Sequence, residues 1–215
     1  MGSDADSVLV EIITPTAKPS KKSTIVSTFQ NIFDISAKAA IPGKVDPGLG
    51  MKAYNHVTTH NEQSGIFIYW KNMKHHDALA ATPGFAEGGK LFVNDILPNI
   101  EGELKTDYWT TQQVDMALKD ADATEVIELQ LSGSKAGKEL EKAVATAFEQ
   151  LSPPQGFLGS FVGSKQEDAE KVVIVTKWSS KDFLDDATWA KESEKHLLSA
   201  LGGKAQVERR LQMHS

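Results

Sequence analysis

The chain has 215 residues, of which 40% are hydrophobic and 24% charged, with 16 Gly and 8 Pro, the profile of a folded protein of one large or two small domains. Zero cysteines exclude disulfide staples, thiolate metal sites and cysteine nucleophiles, and 23 basic against 29 acidic residues, with no basic cluster, exclude a nucleic-acid surface. Residues 1–7 read as a flexible polar N-terminus, no secretion leader is recognisable, and no stretch approaches the roughly 20 apolar residues that cross a bilayer, so a cytoplasmic protein without membrane contact is expected.

In chain order, SVLVEIIT (7–14) reads as a strand. A helix follows behind Ser23 as N-cap, burying Ile25, Phe29, Ile32, Phe33 and Ser36 at helical spacing. After the turn-rich stretch 39–50 come strands 50–58 and 65–71, then a helical region broken near Pro83-Gly84 that resumes with Leu91, Phe92 and Ile96, and a closing strand 103–109. A polar linker, 110–123, leads to TEVIELQL (124–131), which reads as the first strand again with Glu128 matching Glu11. A helix behind Ser134 carries Leu140, Val144, Ala147, Phe148 and Leu151. Strands 156–163 and 171–178 follow, then a helical region with Phe183, Leu184, Leu197, Leu198 and Leu201, and a last strand 205–213. Both third strands end in tryptophan, Trp70 and Trp178. Glu11 precedes Trp70 by 59 positions and Glu128 precedes Trp178 by 50, a difference placed mainly in the loop after the first helix.

Each half is therefore β-α-β-β-α-β, the ferredoxin-like split unit, over residues 8–109 and 124–213. Two helices cover only one face of such a sheet, while third strands such as VVIVTKW are apolar on both. The fold class expected is α+β, with two ferredoxin-like repeats packed sheet to sheet inside one chain. Duplication makes a monomer, as a pseudo-dimer, or a homodimer the expected state.

This repeated topology, together with WKNMKHHDALAATPGF (70–85), resembles the dimeric α/β-barrel superfamily in a tandem-fused form. The Trp70, Thr82-Pro83-x-Phe85 arrangement is similar to that of antibiotic-biosynthesis-monooxygenase-type domains. The resemblance implies a cofactor-independent tailoring enzyme of specialised metabolism (cyclase, isomerase or monooxygenase) acting on an aromatic or polyketide-type molecule. It leaves two alternatives open: a non-catalytic binding or stress-related protein, and a haem-binding member. The chain departs from the family pattern at Leu79 and Gly84, where histidines are usual, and at Thr82, where the related cyclases place a catalytic His. The second half keeps Trp178 but lacks the Thr-Pro-x-Phe segment, which points to a single working pocket in the first half.

Four of the six histidines, His56, His60, His75 and His76, fall within 21 residues of that half. An imidazole exchanges protons near neutrality without a cofactor, as enolisation, aldol cyclisation or oxygenation of an acidic phenol requires. His76 and His56 are the candidate bases and Tyr54 the donor to a developing oxyanion. Trp70, Phe85, His75, Ile68 and Asn55 are candidate substrate contacts, for a hydrophobic small molecule, with no cofactor or metal expected. Strand alternation sets Ile66, Ile68 and Trp70 on one face, which the resemblance turns toward the helices. The glycine-rich run from Gly84 to Lys90 lacks the Ser/Thr and the preceding strand of a phosphate loop. Glu11 and Glu128 read as strand-edge carboxylates, or as ionic ties to Arg209 or Arg210, without a catalytic role.

Overall fold

The computed structural model describes residues 7–39, 50–56, 64–132, 138–150, 155–168, 170–184 and 187–214. They divide into two compact units, Met1–Tyr108 and Trp109–Ser215. Among the described residues, no helix is long and apolar enough to cross a membrane.

In the first unit, β1 (Val8–Thr14) is followed by α1 (Lys22–Ala39), β2 (Gly50–His56), β3 (Ser64–Trp70), α2 (Met73–Ala80), α3 (Pro83–Leu91) and β4 (Lys105–Thr111), the last running on into the second unit. β3 lies between β1 and β2, antiparallel to both, with Leu9 opposite Trp70, Glu11 opposite Ile68 and Ile13 opposite Ile66. Every residue of β1 and β3 is buried, which explains why neither strand shows a clean polar alternation. Leu9, Ile13, Ile66, Ile68 and Trp70 share the face that packs on Ile25 and Phe29 of α1 and Leu79 of α2. The first helix starts at Lys22, so Ser23 sits inside its first turn rather than capping it.

The break expected near Pro83 has a local cause. Asn72 caps α2 by accepting the backbone N–H of His75 at 2.9 Å. Thr82 then caps α3: its Oγ1 accepts from the Phe85 N–H at 3.3 Å and donates to the Leu79 carbonyl at 2.7 Å, with Pro83 in the first turn, where a missing N–H costs nothing. The Thr-Pro-x-Phe segment is thus a helix-entry device that fixes where Phe85 points. The glycine-rich run lies within α3, and a methyl group at Gly88 would come within 2.9 Å of Ile32 Cγ2, so this glycine permits close approach of α1 and α3. Beyond α3 the chain widens into a π-helical segment, Phe92–Ile96, a form frequent beside functional sites.

The second unit repeats the order with α4 (Val114–Leu118), β5 (Ala123–Leu131), α5 (Lys138–Gln150), β6 (Phe157–Lys165), β7 (Lys171–Trp178), α6 (Lys181–Leu184), α7 (Ala187–Ala200) and β8 (Ala205–His214). β5 lies between β7 and β8, and β6 flanks β7. Leu140, Val144, Ala147 and Phe148 of α5 and Leu197 of α7 are buried with Trp178. Residues 110–123, read as a linker, hold the end of β4, the short α4 and the first residue of β5. Lys177 is buried there, its ammonium donating to the carbonyls of Ala117 and Lys119 at the C-terminal end of α4, where a cation is favoured. Ser134, the expected cap of α5, lies outside the described residues.

Register corrects the match between the two halves. Trp70 faces Leu9 and Trp178 faces Ala123, so the residue equivalent to Glu11 is Glu125, opposite Thr176, and not Glu128. Matching like letters slipped the repeat by three positions, and an odd slip moves a strand residue to the opposite face.

Candidate functional site

A cavity of about 390 Å³ opens in the first unit between the helix-facing side of β1 and β3 and helices α1 and α3. Its wall is mostly apolar and rich in rings: Phe29, Phe33, Phe85, Phe92, Trp70 and Tyr108 all contribute. Such a shape, apolar with a few convergent polar groups, is the usual form of a small-molecule site.

The polar groups gather at Glu11. Its side chain is buried on β1, and its two oxygens accept from two neutral donors, Trp70 Nε1 at 2.9 Å and the Tyr108 hydroxyl at 3.3 Å. Burial raises the Glu11 carboxyl above its ordinary value of 4.5; the Trp70 bond, the charge of a nearby His76 and the Tyr108 bond pull the other way without offsetting it. His76, in the first turn of α2, completes the cluster. Its ring stands edge-on to Trp70, with centroids 5.1 Å apart at 90°, and edge-on to Tyr108, with centroids 5.5 Å apart at 70°. His76 Nδ1 lies 3.0 Å from Asp77 Oδ1. A proton held on Nδ1 by that carboxylate leaves Nε2 as the basic nitrogen.

Of the residues proposed from sequence, His76, Trp70, Phe85 and Ile68 line this cavity. His75 does not: its Nδ1 accepts the backbone N–H of Lys71 at 3.3 Å, and its ring stands edge-on to Trp70, at 6.1 Å between ring centroids. Adjacent helical positions point about 100° apart, so only one of the two imidazoles can face the cavity. Tyr54, Asn55 and His56 lie on β2, with Tyr54 opposite Gly65 and Asn55 opposite Ser64, but their side chains lie outside the described residues, as does His60 altogether.

Glu11 and Tyr108 were missed as site residues, and reading Glu11 as a solvated edge carboxylate is corrected by its burial. The available signal was an acid alternating with Leu9 and Ile13 on the face that Trp70 shares. The second unit treats the equivalent acid differently. Glu125 is fully buried, but it accepts from Arg210 Nε at 2.8 Å and from Gln212 Nε2 at 3.2 Å, and Arg210 also reaches Glu194 and Ser193 on α7. Trp178 Nε1 donates to Thr176 Oγ1 at 2.8 Å instead of to a carboxylate. Glu128 forms the ionic tie with Arg209, at 3.2 Å. One copy thus holds its acid with a guanidinium, the other with neutral donors beside a cavity.

A haem would require a free axial imidazole and partners for two propionates. His76 is wedged between two rings, and among the described lining residues there is no Lys or Arg to meet a propionate while a buried carboxyl is present. These residues do not fit that group.

No family model matches the chain, and no curated protein matches it. Solved structures do. The chain is similar to a "putative monooxygenase" from Fusobacterium nucleatum, with 12% identity over 96% of this chain and 91% of that one at a TM-score of 0.64. It is also similar to an anthrone oxidase-like protein, with 14% identity over 97% and 91% at 0.63, and to a "putative chlorite dismutase", with 10% identity over 97% and 94% at 0.64. These full-length likenesses show the fold: α+β, with two ferredoxin-like units in one chain.

Proposed function

We propose that the first unit is a cofactor-independent tailoring site that binds a hydrophobic aromatic or polyketide-type molecule and moves a proton on it. The observation that carries this reading is the Glu11–Trp70–Tyr108–His76 cluster at the wall of an otherwise apolar cavity. His76, through Nε2, takes a proton from an acidic C–H or O–H of the bound molecule. The Tyr108 hydroxyl, which donates to Glu11 in the unliganded chain, turns its single proton to the oxygen on which charge develops, the role sequence assigned to Tyr54. Glu11, held above the usual carboxyl range by burial, supports the resulting imidazolium when ionised. Deprotonation is the first step common to cyclisation, isomerisation and oxygenation by dioxygen; the names of the neighbours, a monooxygenase and an anthrone oxidase-like protein, favour the last.

Turnover of anthrones and related hydroxylated tricyclic ketones is the direct test. His76→Ala should lower kcat about 100-fold or more while the substrate still binds. His76→Ala and Glu11→Gln variants that both keep full turnover would defeat the proton-transfer reading and leave a binding protein, the reading that the missing histidines at Leu79 and Gly84 favour. Because the described wall of this cavity does not suit haem, no Soret band that depends on His76 is expected; a band that disappears in His76→Ala would overturn that expectation.

A further inference from the structure

Ser36 has no part in the proton-transfer cluster, yet it is the other buried polar residue at the cavity. It lies on α1, is 3% exposed and lines the cavity, and its Oγ has no hydrogen-bond partner. A serine inside a helix ordinarily returns its hydroxyl to the carbonyl four residues earlier, here that of Ile32, and this one does not. Alanine would suit the helix better and would bury no unsatisfied hydroxyl, so stability does not account for the residue. Around it the cavity is lined by rings and by the backbone of Gly88 and Gly89, and a methyl group built at Gly89 meets nothing within 4 Å. Ser36 is therefore a lining residue whose hydroxyl, shielded in the unliganded chain, is claimed by no protein group and is left for a ligand oxygen to engage.

We infer that Ser36 is a specificity-determining residue: it hydrogen-bonds a second oxygen substituent, a hydroxyl or carbonyl, on an uncharged aromatic ligand, separate from the oxygen handled by the Glu11 cluster. The inference rests on the reading of this cavity as a ligand site, but not on the proton transfer. A buried hydroxyl paired with a neutral oxygen costs nothing in charge, whereas a carboxylate on the ligand would enter a wall whose one described carboxyl is already buried. The ligand class is thus a neutral polycyclic with oxygens at two positions.

Calorimetric titration of the full chain with 2-naphthol and with 1,5-, 2,6- and 2,7-dihydroxynaphthalene reads this directly. The wild type should bind the best diol about fivefold or more tightly than the mono-ol, the gain of one neutral hydrogen bond. Ser36→Ala should bring the two within about twofold, leave 2-naphthol within about twofold of wild type, and melt no lower than wild type. Gly89→Leu, a bulky change at a lining position, should abolish binding of both. Equal affinities in the wild type, a preference that survives Ser36→Ala, binding that survives Gly89→Leu, or no binding at all would each overturn the assignment. Turnover unaffected by His76→Ala would sink the proton-transfer reading and leave the Ser36 selection standing.

Discussion

Glu11 is buried and held by Trp70 and Tyr108, neither of which carries charge, so ionising it costs more in the folded chain than in the unfolded one. A carboxyl whose folded value is raised leaves stability intact below its unfolded value, near 4.5, and withdraws it as pH rises toward the higher folded value. Glu11→Gln keeps an oxygen to accept from Trp70 and never ionises. Its melting temperature should therefore match wild type near pH 4 and exceed it at pH 8; a gap that is the same at both would show that the carboxyl is not raised. Stability gained at the expense of turnover would mark Glu11 as a residue kept for chemistry.

Among the elements, α3 shows how two neighbouring glycines differ. At Gly89 an added methyl meets open space, so Gly89→Ala should stabilise the chain by up to about 1 kcal/mol through helix propensity. At Gly88 the same methyl would press at 2.9 Å on Ile32 Cγ2, a methyl held directly on the branched Cβ with little freedom to move, so Gly88→Ala should destabilise despite the better propensity. Urea unfolding of the pair checks both signs. Much of this layout was legible beforehand. The duplication, a helix break near Pro83-Gly84 and the face shared by Ile66, Ile68 and Trp70 follow from periodicity and the chemistry of proline, which are local. The electrostatics were not legible, because Glu11 and Tyr108 are 97 positions apart and meet only in the folded chain. Equal letters at Glu11 and Glu128 hid the true equivalence, which the ladder opposite the two tryptophans reveals.

Across the whole molecule, the two copies of one module have spent the same buried acid differently. Removing Arg210 leaves Glu125 buried without its cation, so Arg210→Met should cost roughly 3–5 kcal/mol, measured by chemical unfolding, while turnover per folded molecule stays unchanged. Substitutions at Glu11 or His76 should do the reverse, moving activity more than stability. If Arg210→Met abolished turnover in molecules shown to be folded, the second copy would be more than a scaffold. The contact between Ile32 and Gly88 carries a further consequence. It sets how near one helix lies to the other above the strands, and so fixes the headroom available to a guest. Trimming the isoleucine to valine or alanine should therefore admit bulkier ring systems while leaving Glu11 and His76 untouched.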